Sequence, residues 1–162
     1  MTNLVELIVF GGTALAMALV AGVFLTFSDF VMRALGLARG VAGIEAMQVI
    51  NRKVYGSAFL VALLGLAPVA VALGLYAVAR IEGAAMFWIV AGAALYVIGT
   101  VLVTMLGNVP MNKRLDMMRA DAPDTLTYWR HYVLRWTLFN HLRTVSSGLA
   151  AGAFLVATAL MV

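Results

Sequence analysis

Four long stretches of the chain contain no Asp, Glu, Lys, Arg or His residue. They cover residues 7–28, 55–79, 83–112 and 144–162. A helix needs about 20 apolar residues to cross the roughly 30 Å hydrocarbon layer of a membrane, and each stretch meets that requirement. Because these stretches make up most of the 162 residues, the sequence predicts an all-α integral membrane four-helix bundle with no second folded domain.

The composition supports a membrane protein, since 64% of the residues are hydrophobic and only 11% are charged. About a quarter of the residues of a soluble domain are charged. No basic residue precedes the first apolar stretch, so we expect a retained helix rather than a signal peptide. The prediction is a single membrane domain over residues 1–162, with spans at roughly 4–35, 53–79, 84–108 and 128–161.

The basic residues predict the orientation of the bundle. Every Lys and Arg except Arg80 borders the first or the third connection between spans. Cytoplasmic connections are enriched in Lys and Arg, so these two connections are expected in the cytoplasm and both termini outside. The net charge of +4 does not indicate a nucleic-acid partner, because the basic residues lie beside the spans and not in one solvated patch.

The two cytoplasmic connections have different patterns. In the first, Val41, Ile44, Met47 and Gln48 recur at helical spacing, which predicts a short amphipathic helix before Asn51. We expect Asn51 to begin the second span.

The third connection, from 108 to 136, is the largest polar stretch. It is interrupted by Pro110 and by Pro123, so a new helix should begin near Asp124 or Thr125.

Small residues predict where the helices approach closely. Two sets recur on one helical face each, and small residues allow close contact between membrane helices. The first set is Gly11, Ala14, Ala18 and Gly22, and the second is Gly92 and Gly99, which flank Tyr96.

The fourth span carries a polar and aromatic stripe. At about 100° per residue, Trp129, Tyr132, Trp136, Asn140 and Arg143 project onto one narrow face. A belt at the membrane interface explains the aromatic residues. Burying an amide and a guanidinium costs several kcal/mol unless they find partners, so these side chains must meet other polar groups.

Polar residues of the other spans lie at the same depth, which leaves two interpretations. Either they form a hydrogen-bonded network that closes the bundle, or they line a small pocket at the cytoplasmic interface. In such a pocket, the aromatic faces of the stripe would bind an aromatic ligand. The predicted substrate-binding residues are Trp129, Tyr132, Trp136, Asn51 and Ser28.

The chemistry available to a pocket comes from five side chains. His141 is the candidate general base, because an imidazole titrates near neutral pH. Arg143 could stabilise an enolate or phenolate, and Asn108, Asn112 and Asn140 could orient a carbonyl or hydroxyl group. These five are the predicted catalytic residues.

Asp29 and Arg33 lie one turn apart near the end of the first span. This spacing predicts a local ion pair, although ionisable groups at membrane depth also line cavities.

No metal site is predicted, since the chain has no Cys, no HxxxH motif and no acidic cluster. No cofactor is favoured, and haem bound through His141 is the main alternative. A third alternative is a non-catalytic module that binds a lipid or a protein partner. The small-residue faces could also support a homo-oligomer.

Four motifs, in this order along the chain, resemble those of the anthrone oxygenase-like family of small four-span membrane proteins. They lie at residues 27–32, 47–51, 108–112 and 129–144, and the last ends in Asn140-His141-Leu142-Arg143-Thr144. The resemblance implies that Asn51, Asn108, Asn112, Trp136, Asn140, His141 and Arg143 match the family pattern.

In fungal polyketide pathways, members of this family oxidise an anthrone to an anthraquinone. The resemblance therefore implies a membrane oxygenase for a hydrophobic phenolic substrate, in a bacterial inner membrane. A hydrophobic small molecule or a lipid is the expected partner. The sequence leaves open whether the chain is an enzyme.

Overall fold

The computed structural model of the protein describes residues 4–162, and these residues form five helices without a strand. Four helices are long and apolar enough to cross a membrane, and the fifth, α2, is short. The helices are α1 (Leu4–Leu37), α2 (Ala42–Lys53), α3 (Ala58–Arg80), α4 (Ala84–Asp116) and α5 (Pro123–Leu160). The predicted four-helix membrane fold is confirmed, including the amphipathic helix in the first connection.

The four long helices form a closed bundle. Helix α1 makes its most extensive contacts with α5, and α5 also packs on α4, whereas α3 contacts α1 and α4 and lies across the bundle from α5. The amphipathic helix α2 covers the end of the bundle at which α1 ends and α3 begins. We call this end the site end, and the end with the α3–α4 turn at Gly83 the opposite end.

Helix α2 is tied to the end of α4 by one amide. Gln48 Nε2 donates hydrogen bonds to the carbonyl oxygens of Leu115 and Met118, both at 2.8 Å. Gln48 therefore fixes α2 against the residues at which α4 ends. Arg52 reinforces this contact with a 2.7 Å ion pair to Asp116.

Two predicted boundaries are wrong. Asn51 lies in the last turn of α2, and the second long helix begins only at Ala58, after a short 3₁₀ turn at Val54–Gly56 and with Ser57 as its N-cap. The third long helix does not end near Pro110 but continues to Asp116. A π-helical turn at Thr104–Asn108 comes directly before this proline. The wider turn makes room for the ring, so the helix can continue.

Close helix contacts were predicted at the small residues of α1 and of α4, and only those on α4 are found. On α1, Ala14 is buried but Ala18 and Gly22 are exposed, and the large side chains of Met17 and Phe24 are buried. The prediction for α1 is therefore largely wrong.

On α4 the prediction is right, because Gly92 and Gly99 meet α5 closely. A Cβ added at Gly92 would lie 2.8 Å from the Phe154 ring, and one added at Gly99 would overlap Ser146.

Candidate functional site

A cavity of about 370 Å³ lies inside the site end of the bundle. Its volume falls in the usual range for small-molecule sites, roughly 300–1,000 Å³. All five helices contribute to its wall, which is mainly apolar. The polar side chains in the wall are Asn51, Lys53, Tyr55, Ser57, Thr104, Asn108, Asn112, Trp136, Asn140 and Arg143.

Three stacked aromatic rings of α5 lie beside the cavity. The rings of Trp129 and Tyr132 stack with centroids 5.4 Å apart, and those of Tyr132 and Trp136 with centroids 6.3 Å apart. The two indoles therefore do not face each other across an open space, because Tyr132 lies between them. Of the three, only Trp136 lines the cavity.

The orientation of the Asn112 amide follows from its partners. Its Oδ1 accepts hydrogen bonds from Tyr132 OH at 2.7 Å and from Trp136 Nε1 at 2.8 Å. An indole nitrogen can only donate, so the oxygen of the amide must face Trp136. The NH₂ group of Asn112 remains as a hydrogen-bond donor at the cavity wall.

Asn51 joins this group from α2. Its Nδ2 lies 3.5 Å from Tyr132 OH, which connects the amphipathic helix to the aromatic stack. The predicted binding residues Asn51, Tyr132 and Trp136 are thus brought together with Asn112, although Tyr132 lies behind the cavity wall.

Asn140 holds Arg143 in place. The Nδ2 of Asn140 donates to the Phe24 carbonyl and to Ser28 Oγ, both at 2.7 Å. Its Oδ1 accepts from Arg143 Nη2 at 2.6 Å. Both N–H groups of this amide are therefore used within the protein, so Asn140 positions the guanidinium and has no donor left for a ligand.

Arg143 is buried, with 5% of its surface exposed, and it has no carboxylate partner among residues 4–162. Its Cζ lies 4.3 Å from the Phe24 ring centroid and 5.2 Å from that of Trp136. Its Nη1 makes one long contact of 3.4 Å with Thr104 Oγ1. Aromatic faces stabilise a cation but do not neutralise its charge. Arg143 is thus a buried positive charge with no counter-ion in the described part of the chain.

Two buried polar atoms at the cavity have no hydrogen-bond partner among the described residues. They are Arg143 Nε, a donor, and Asn108 Oδ1, an acceptor. The amide nitrogen of Asn108 is used, because it donates to the Trp136 carbonyl at 3.1 Å. Leaving a buried donor or acceptor unsatisfied costs about 1–3 kcal/mol. Both atoms are closed off from the cavity space in this structure, so a ligand would recover this cost only after these two side chains shift.

The structure separates His141 from the other predicted catalytic residues. His141 is exposed and lines a second, shallow groove on the outside of the bundle, between α1 and α5. On α5 it points about 100° away from Asn140 and about 160° away from Arg143, and it does not line the cavity. Among residues 4–162, no three His, Cys, Asp or Glu side chains are close enough together to hold a metal ion.

Two further predicted residues do not line the cavity. Ser28 supports it indirectly by accepting the hydrogen bond from Asn140. Trp129 packs at the outer end of the aromatic stack, near Gly43 of α2.

Sequence reasoning missed Thr104, which contacts Arg143. A signal was available, because Tyr96, Thr100, Thr104 and Asn108 recur every four residues and all four are buried. Residues four apart in an α-helix drift by about 40° per step. The π-helical segments Leu95–Leu102 and Thr104–Asn108 have wider turns, so the drift is smaller and the four side chains share one face.

A scan against protein-family models matches residues 51–153 to the anthrone oxygenase family. The match covers more than half of the chain. The chain belongs to the anthrone oxygenase family. No curated protein and no solved structure matches it.

The family match spans helices α3 and α4 and most of α5, and it includes every predicted site residue except Ser28. With its four apolar helices, the chain is a multi-pass, oxygenase-like membrane protein. Such a protein can bind hydrophobic molecules or lipids, and the cavity supplies an apolar space for one.

Proposed function

We propose that the chain binds the ionised form of a phenolic, anthrone-type ketone in this cavity and promotes its oxidation by dioxygen. The observation that carries the proposal is the buried Arg143 guanidinium, which has no counter-ion and an unpartnered Nε. A ligand with a negatively charged oxygen would supply the missing charge. The family to which the chain belongs supports an aromatic ketone as that ligand.

The cavity wall fits the shape and polarity of such a substrate. The apolar side chains and the face of Trp136 accommodate fused aromatic rings. Arg143 would hold the enolate or phenolate oxygen, and the NH₂ group of Asn112 is a second donor. Asn108 Oδ1 is closed off from the cavity space in this structure, and after a shift of this side chain it would accept a hydrogen bond from a phenolic hydroxyl group.

The role of Arg143 is electrostatic. Held beside the cavity by Asn140, this fixed positive charge favours the ionised substrate and stabilises the carbanion that forms at the methylene carbon. No carboxylate or imidazole is present among the described residues that line the cavity. The first proton therefore goes to water, and His141 is not the base in this proposal.

The remaining steps use only the substrate and dioxygen. The carbanion reduces dioxygen, and a carbon–oxygen bond forms to give a hydroperoxide at the former methylene carbon. Loss of the second proton of this carbon breaks the oxygen–oxygen bond and releases water. The methylene group thereby becomes a ketone, and one oxygen atom of dioxygen ends in the product and the other in water.

We also place the site end of the bundle in the cytoplasm. All Lys and Arg residues except Arg80 border the two connections at this end, and cytoplasmic connections carry such an excess. A hydrophobic substrate would then enter from the cytoplasmic leaflet.

The test is oxygen uptake by the detergent-purified protein with 1,8-dihydroxyanthrone, corrected for the rate in protein-free micelles. We expect uptake and quinone absorbance to rise with protein concentration. In Arg143→Met this acceleration should fall by about 10²–10³-fold, the usual loss when an oxyanion donor is removed. Arg143→Lys, which keeps the charge, should retain part of it.

Thermal unfolding of each variant separates loss of function from loss of fold. Binding of a hydroxyanthraquinone, followed by quenching of Trp fluorescence, tests the cavity independently of turnover. Unchanged uptake in a folded Arg143→Met protein, or wild-type protein that neither binds the quinone nor accelerates uptake, would contradict the proposal.

A further inference from the structure

The second groove of the molecule lies on the membrane-facing side of α1 and α5 and has a volume of about 390 Å³. Its apolar lining includes Leu134, which is 74% exposed. Its polar side chains are Ser28, Asp29, Arg33, Thr137 and His141. The cavity at Arg143 lies on the other side of α5, so the groove is a separate site.

The groove lies where the hydrocarbon layer ends. The uncharged stretch of α1 ends at Ser28, and that of α5 begins at Thr144. The Oγ atom of Ser28 is hydrogen-bonded to Thr144 Oγ1 at 3.1 Å, so the two ends are at the same level. Asp29, Arg33 and His141 follow directly outside this level, at the depth of lipid headgroups.

The charged side chains of the groove are not used within the protein. The predicted ion pair between Asp29 and Arg33 is wrong, because the salt bridges among residues 4–162 involve other residues. Both side chains are exposed. The groove therefore offers one cation and one anion, neither of which has a charged partner among the described residues.

The geometry points to a binding site for a phospholipid whose headgroup carries both a phosphate and a free amine. The phosphate would bind Arg33, with the hydroxyl group of Thr137 and the ring of His141 as further donors. The primary amine would bind the Asp29 carboxylate. The acyl chains would lie along Leu134 and the other exposed apolar side chains. This site does not depend on the proposed oxidation, and its ligand is a structural lipid.

The experiment is native mass spectrometry of the full-length, delipidated protein in detergent, titrated with three lipids that have identical acyl chains. Phosphatidylethanolamine carries a primary amine, phosphatidylcholine a methylated one and phosphatidylglycerol none. We expect one phosphatidylethanolamine to bind about fivefold more tightly than either of the others, the ratio that corresponds to one exposed ion pair.

Two variants test the two halves of the headgroup. Asp29→Asn should remove the preference for phosphatidylethanolamine, and Arg33→Gln should weaken the binding of all three lipids. Glu45→Gln and Lys113→Gln make the same charge changes at exposed positions of α2 and α4, and they should leave both properties unchanged.

Several outcomes would overturn the proposal. One is equal affinity of the wild-type protein for the three lipids, and another is an equal effect of Lys113→Gln and Arg33→Gln. Displacement of the lipid by soluble phosphoethanolamine at equal concentration would show that the groove does not need a membrane lipid. A change from dimer to monomer in Asp29→Asn or Arg33→Gln, with lipid binding unaltered, would instead assign the groove to a second copy of the chain.

Discussion

Helix α5 has two polar faces that look alike in sequence and differ in structure. The inner face carries Asn140 and Arg143, which are buried and connected by a short hydrogen bond. The outer face carries Thr137 and His141, which line an open groove. Polar residues on one helix at one depth therefore need not belong to one site, because neighbouring side chains in the sequence point about 100° apart.

The inner face has features of both structures that the sequence allowed for its polar residues: a hydrogen-bonded network that closes the bundle, and a binding pocket. Asn140 and Asn112 are engaged by protein partners, as in a closing network. Arg143 Nε and Asn108 Oδ1 have none among the described residues, as in a binding site. The network holds the site in position, and the unpaired atoms define what it can bind.

After Arg143→Met, the largest effect on this contrast is expected from Asn140→Asp. The new carboxylate would contact Arg143 and provide the counter-ion that the cavity lacks. Binding of an anionic ligand should weaken by about 10–100-fold, as expected when a close opposite charge competes for the same cation. The measurement is quinone binding by Trp fluorescence, with thermal unfolding as the control for folding. Unchanged affinity would mean that Arg143 does not bind the ligand's charge.

Gly99→Ala should have the next largest effect, on stability. An added Cβ would overlap Ser146 on α5, and overpacking in a close interface costs about 1–3 kcal/mol. Gly148→Ala on the exposed side of α5 is the matched control, since nothing lies within 4 Å of its Cβ position. We expect a lower midpoint of thermal unfolding for Gly99→Ala alone. Equal midpoints would show that α4 and α5 are less closely packed than in this structure.

Asn108→Leu should separate stability from function. The substitution removes an unpaired buried acceptor together with one hydrogen bond to the Trp136 carbonyl. Removing the unpaired acceptor stabilises the fold, and losing the hydrogen bond destabilises it by a similar free energy. The unfolding midpoint should therefore stay within a few degrees of the wild-type value. Loss of one ligand contact should reduce oxygen uptake by about tenfold, or roughly 1.4 kcal/mol. A marked loss of stability with full activity would instead support a purely structural role.

The smallest effect is expected from His141→Ala. This side chain lies outside the cavity, so oxygen uptake should change by less than about threefold, within the range of indirect effects. The assay is the same as for Arg143→Met, which makes the two variants a direct comparison of the outer and inner faces. A loss as large as that of Arg143→Met would restore His141 as the general base.

The sequence by itself determined the membrane class, the number of long helices and the presence of α2. These properties depend on uncharged length and on helical periodicity, which are local and can be counted along the chain. It also pointed to Asn108, Asn112, Trp136, Asn140 and Arg143 as neighbours, since they lie at the same end of α4 and α5.

Only the tertiary structure decided which side chains share a cavity. The rotation of a helix about its axis follows from packing against its neighbours, and an apolar residue facing lipid is no more costly than one facing the core. For this reason Ala18 and Gly22 could not be recognised as exposed, nor His141 as lying outside the cavity. The π-helical turns of α4 rotate Thr104 and Asn108 onto one face; the spacing of four between these residues is visible in the sequence, but only the structure shows that the helical period changes there.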